Sequence, residues 1–174
     1  DITFAEDVEK KIRSAIHERA KQISASDLAK ETRRVRMNLE KEKTALRHSR
    51  DIDIKFGPGG MLDIYFAIRF LQLRDGVPDA PGRRSTSASL EALLDSGSIS
   101  EEENDVFLAG YVFLSRLDHA IRLTLRRETR LPLANRGALA AVSARMAFDD
   151  IEAFLTELNL HRIAIRSAFE RVVR

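Results

Sequence analysis

The stretch "DIDIKFGPGGMLDIYF" (residues 51–66) joins three patterns end to end. An alternating run, "DIDIKF", meets a glycine-rich corner, "GPGG". Residues 61–75, "MLDIYFAIRFLQLRD", then follow with apolar positions nearly all round a helix. A helix that is apolar on every side is buried in the middle of a bundle. "DIDIKF" is short and has no obvious hairpin partner, so it reads as an extended connector rather than as part of a sheet. The corner admits two readings. Unpaired backbone N–H groups at the start of the helix could receive a phosphate, with glycines allowing close approach and Lys55 adding a cation. Alternatively, Gly57 and Gly59 adopt positive φ and do no more than turn the chain.

Working outward, helical spacing recurs on both sides. Phe4, Val8, Ile12, Ala15 and Ile23 mark a first amphipathic helix. Ser24 or Ser26 caps a second, from about 27 to 48, whose thin stripe is Leu28, Val35, Leu39 and Leu46. The charges of that helix, Arg33, Arg34 and Arg36 among them, read as a solvated face laced with ion pairs. Residues 76–86 form a loop with two prolines and Gly82, and "SLEALLDSG" is a short helix ended by Gly97. Ser100 before "EEE" starts a helix expected to reach about 127. "LPLANRG" breaks the pattern, a short helix follows near 137–146, and Asp149 or Asp150 caps the last one. Its stripe is Ile151, Phe154, Leu155, Leu158, His161, Ile165, Phe169 and Val172, with His161 expected as a satisfied core residue. The expectation is one all-α domain over 1–174, an up-and-down bundle of about seven helices, with 51–60 as a glycine-rich connector.

Composition narrows the functional classes. The chain of 174 residues is 44% hydrophobic and 32% charged, ordinary for a globular domain. Its 29 basic and 27 acidic residues leave a formal charge of +2, which gives no case for nucleic acid. There is no cysteine, which excludes disulfides and thiolate metal sites and fits a cytoplasmic protein. No apolar run approaches the roughly 20 residues needed to span a bilayer. The chain opens on Asp1 and runs almost at once into helical pattern, so it reads as a fragment of something larger.

Most chemical motifs are missing. "GPGG" is neither a P-loop nor a dinucleotide fingerprint. His17, His48, His119 and His161 lack metal-ligand spacing. "DH" at 118–119 reverses the metal-phosphohydrolase pair and has no partner histidines. Asp51 and Asp53 form a D-x-D, but the Gly-Ser turn that precedes such a metal site in nucleotidyltransferases is absent. No catalytic or metal-binding residue is assigned.

The segment "DIKFGPGGMLDIYFAIRFLQL" resembles a stretch of the glutamine synthetase adenylyltransferases that runs D-I-K-x-G-x-G-G-I-x-D-I-E-F-x-x-Q-x-L-Q-L. "VRMNLEKEK" before it and "FLAGYVFLSRLDHAIRLTLRRETRLP" after it are similar to helices of the same family, in the same order. PII uridylyltransferases carry a related motif and are the nearest competitor. The resemblance implies the helical bundle that follows a nucleotidyltransferase domain, in an enzyme that uses ATP and magnesium to adenylylate glutamine synthetase. That enzyme also removes the AMP, under control of PII signal proteins. It implies no cofactor and no catalysis for this chain alone. An accessory domain that packs on the catalytic domain and helps bind nucleotide or protein substrate is the preferred expectation. A non-catalytic regulatory or docking bundle is the alternative. Matching positions, candidates for a nucleotide or domain interface, are Lys55, Gly57, Gly59, Gly60, Asp63, Gln72, Arg116 and His119. Tyr65 and Arg69 stand where the family has Glu and Gln, and with Gln72 they share one helical face.

Overall fold

The computed structural model describes residues 2–45, 51–79, 85–125 and 130–174. Leu46, His48 and positions 126–127, together with 80–84 of the expected loop, lie outside the described residues. In order come α1 (Ile2–Ala20), α2 (Ala25–Ala45), β1 (Ile52–Asp53), α3 (Met61–Asp75), α4 (Thr86–Asp95) and α5 (Glu101–Leu125). Then follow β2 (Arg130–Leu131), α6 (Arg136–Arg145) and α7 (Ile151–Val172). The all-α expectation holds, with seven helices among the described residues.

Capping chemistry sets the helix starts. Ser24 accepts from the Asp27 amide, Ser85 from Ala88, Asn135 from Ala138 and Asp150 from Ala153. Ser100 and Glu103 form a reciprocal capping box. Gly97 sits at φ +71° just beyond α4, a left-handed position that glycine occupies without penalty.

As its all-round apolar character requires, α3 is central and packs on α1, α2, α4, α5 and α7. Ile64, Ala67, Phe70 and Leu71 are buried on it. The core continues through Phe107, Leu114 and Leu117 of α5 and Phe154, Leu158, Ile165 and Phe169 of α7. α5 and α7 meet closely: a Cβ on Gly110 would lie 2.6 Å from the Ile165 Cδ1. His161 belongs to this packing, stacked on Phe113 with ring centroids 4.4 Å apart.

Three expectations are corrected. "DIDIKF" does have a partner: β1 pairs antiparallel with β2, Ile52 opposite Leu131 and Asp53 opposite Arg130. The arginine-rich face of α2 is not wholly solvated, because Arg36 is completely buried while Val35 and Met37 are exposed. The apolar stripe of α1 does not enter the core; Phe4 is 72% exposed, Ile12 55% and Ile16 51%.

Candidate functional site

The corner is built from the backbone outward. Asp53 Oδ1 accepts from the amides of Lys55 and Phe56, an Asx turn that starts the bend. The Gly57 amide donates to the Asp53 carbonyl, and that of Gly60 to Gly57. The first amides of α3 are also taken: Met61 donates to Ile54 and Leu62 to Lys55. The Gly59 amide donates to Asp63 Oδ2 at 2.8 Å. Every N–H from 55 to 63 (Pro58 has none) is thus satisfied inside the protein. Of the two readings of the corner, a phosphate cradle of unpaired amides finds no free donors, since the chain folds back on itself and uses them.

The glycines serve this closure. Gly59 has φ +67°, and a Cβ there would fall 2.0 Å from the Arg162 carbonyl oxygen of α7. A Cβ on Gly60 would lie 2.7 Å from the Lys55 carbonyl oxygen. Gly57 does not take the positive φ expected of it; a Cβ would instead meet the Asp53 carbonyl oxygen at 2.4 Å.

Asp63 is the hub. Its carboxylate is fully buried and receives Arg36 Nε at 2.5 Å, with Arg166 at 3.5 Å. Arg36 also donates to the Gly57 carbonyl at 3.0 Å and lies 3.2 Å from Glu40. Burying a carboxylate is costly unless it is paired and hydrogen-bonded, and Asp63 is both. Asp53 is committed in the same way, with Arg130 at 3.1 Å.

Lys55, Tyr65 and His119 do come together. They line a cavity of about 300 Å³ with Tyr111, Ser115 and Asp118. Lys55 Nζ stands 3.6 Å from Asp118 Oδ1, and Arg122 holds Oδ2 of the same carboxylate at 2.8 Å. Tyr65 meets Tyr111 edge-on, ring centroids 6.4 Å apart. Burial and the nearby Tyr111 push the Tyr65 phenol above its ordinary range, against the pull of a hydrogen bond with Thr86. Arg116 is exposed on α5 and does not line the cavity.

Arg69 and Gln72 share the helical face of Tyr65 but do different work. Arg69 Nη1 and Gln72 Nε2 converge on Asp79, at 3.0 and 2.8 Å, and Arg13 of α1 joins them at 2.6 Å. Burial acts to raise the Asp79 carboxyl, but the bonds from Gln72, Arg69 and Arg13 outweigh it and hold it at about 2. Sequence reasoning missed Arg36, Tyr111, Ser115, Asp118 and Arg162. For three of them a signal existed, since Tyr111, Ser115, Asp118 and Arg122 recur at helical spacing along α5.

The resemblance implies magnesium and ATP for the parent enzyme and not for this chain. No group of three or more His, Asp or Glu gathers as metal ligands among the described residues, and the backbone offers no free donors at the corner. No helix among the described residues is long and apolar enough to cross a membrane.

The chain is 30% identical over 133 residues to a bifunctional glutamine synthetase adenylyltransferase/adenylyl-removing enzyme of Burkholderia mallei, covering 76% of this chain and 14% of that protein. The like-named protein of Corynebacterium glutamicum is 36% identical over 47% of this chain and 8% of its own length. That of Neisseria meningitidis is 26% identical over 70% and 14%. The chain thus spans about one seventh or less of these relatives. The model of the GlnD PII-uridylyltransferase family matches residues 28–173, from α2 through the whole of α7, and the chain belongs to that family.

Proposed function

We propose that this chain is the accessory helical domain of a nucleotidyltransferase that adenylylates and deadenylylates glutamine synthetase. In this reading it packs beside a catalytic domain and helps hold nucleotide or the protein substrate. ATP and magnesium belong to that other domain, a PII signal protein is a regulatory partner, and the setting is the cytoplasm. The observation that supports the reading is the family match across 28–173, which takes in both the glycine corner and the Lys55 cavity. Contact to a ligand would come from side chains, Lys55, Tyr65 and His119, because the corner amides are already bonded. Tyr65 narrows what that ligand is, by placing a phenol in the cavity where the family has an acidic side chain, whereas Arg69 is taken up by Asp79.

Lys55→Ala in the parent enzyme tests the cavity. The Lys55–Asp118 pair is partly exposed, so its loss should cost no more than about 1 kcal/mol of stability. AMP transfer to glutamine synthetase should fall about tenfold, as when one charge-assisted contact is removed. Parental turnover at unchanged melting temperature would remove the cavity from the reading.

A second reading, a docking bundle without catalytic partner, is favoured by one observation, the exposed Phe4, Ile12 and Ile16 of α1. The coding sequence upstream of Asp1 separates the two. A Gly-Ser turn followed by D-x-D supports the enzyme, and its absence supports the docking bundle.

A further inference from the structure

Arg162 stands apart from the other buried and half-buried arginines around the corner. Arg36, Arg130 and Arg166 each reach a carboxylate within 4.0 Å. Among the described residues the Arg162 side chain makes one hydrogen bond, from Nε to the Pro58 carbonyl at 3.2 Å, and no described carboxylate lies within ion-pair distance. Asp53 and Asp63 act on it only from farther off, and burial pulls its pKa below the ordinary guanidinium value. A guanidinium has five N–H donors in a planar fork, so most of its capacity is unspent.

It lines a cavity of about 260 Å³ beside the glycine corner, with Asn159, Arg166, Ser167, Pro58 and Ile163. The amide of Asn159 and the hydroxyl of Ser167 add neutral donors on the same helix, three residues before and five after Arg162. Arg166 is already engaged by Glu170, Glu40 and Asp63, so Arg162 supplies the surplus charge. The volume is below the roughly 300–1,000 Å³ of pockets that hold drug-sized ligands, and suits a single head group.

We propose that the Arg162–Asn159–Ser167 cavity binds a small oxyanion, a phosphate or carboxylate, free or as the end of a small molecule. The anion accepts from the Arg162 fork, which stays anchored through Nε to the Pro58 carbonyl. Binding there bears directly on the corner, because Arg162 reaches Pro58 through its side chain and abuts Gly59 through its carbonyl. The site is separate from the Lys55 cavity and does not depend on the function proposed above.

Inorganic phosphate and, in a second arm, acetate are titrated into the 174-residue chain at constant ionic strength. Calorimetry and the Arg162 Nε–H resonance are followed together. Saturable binding with a shift of that resonance is expected, by phosphate if the head group is a phosphate and by acetate if it is a carboxylate. Arg162→Gln should weaken it about tenfold or more, the effect of losing a charge-assisted bond. Arg162→Lys, which keeps the charge without the fork, should retain part of the affinity. Absence of saturable binding by either anion overturns the proposal. So does an unmoved Nε–H resonance in the parent chain, a readout that stands even if Arg162→Gln fails to fold.

Discussion

At the scale of the residue, two glycines with nearly the same backbone angle have opposite surroundings. Gly59 at φ +67° is pressed against the Arg162 carbonyl, whereas Gly76 at φ +70° has nothing within 4 Å of a would-be Cβ. Gly76→Ala should therefore cost only the left-handed penalty, about 1 kcal/mol. Gly59→Ala must also push α7 away and should cost about 3 kcal/mol or more. Urea unfolding of both variants measures the difference; equal losses would show that the contact with α7 is soft. The need for glycine at 59 was legible in the sequence, but the reason was not, because Arg162 is far away in the chain. Arg36 was illegible for a similar cause. A run of arginines in a thin-striped helix looks solvated, and only the long-range partner Asp63 marks one of them as interior. In the structure Ala29, one heptad earlier, is also fully buried, so the inward edge of α2 runs one residue beyond the Leu28–Val35 line.

At the scale of the element, α1 is attached to the bundle through a polar clasp rather than through its apolar stripe. Asp79 draws together Arg13 of α1 and Arg69 and Gln72 of α3, and its side chain is only 4% exposed. Its carboxyl is depressed from 3.8 to about 2, so its contribution is complete above pH 3.8 and fades as the pH falls toward 2. Allowing for solvent around Arg69, that contribution is about 1–2 kcal/mol. Asp79→Asn should lower the urea midpoint at pH 7 and converge with the parent near pH 2. A gap that persists at pH 2 would mean that the charge is not what matters. Several helix starts were legible because caps are local: Ser24, Ser100 with Glu103, and Asp150 act within one turn. The β1–β2 pairing was not, since two residues have no periodicity and the partner lies across three helices.

At the scale of the molecule, the sequence revealed that α3 is central, because a helix apolar on all sides has nowhere else to be. It did not reveal how the candidate residues divide. Lys55, Tyr65 and His119 share one cavity, Arg69 and Gln72 hold a clasp, and Gly57, Gly59, Gly60 and Asp63 fold the corner shut. Motif spacing joins all of these in one line, and only the packing of α5 and α7 against α3 sorts them. The short pairing of Asp53 with Arg130 has a topological consequence. It fastens the chain into a ring that contains α3, α4 and α5, and closing a long ring costs entropy that is regained only when the ring opens as a whole. Those helices should therefore open cooperatively, while α1, outside the ring and tied by few side chains, frays alone. In deuterium exchange, the amides of α1 should be lost first and those of α3 and α5 should leave together at the slowest rate. Arg130→Ala, which removes the 3.1 Å link to Asp53, should loosen the ring and bring its rates closer to those of α1.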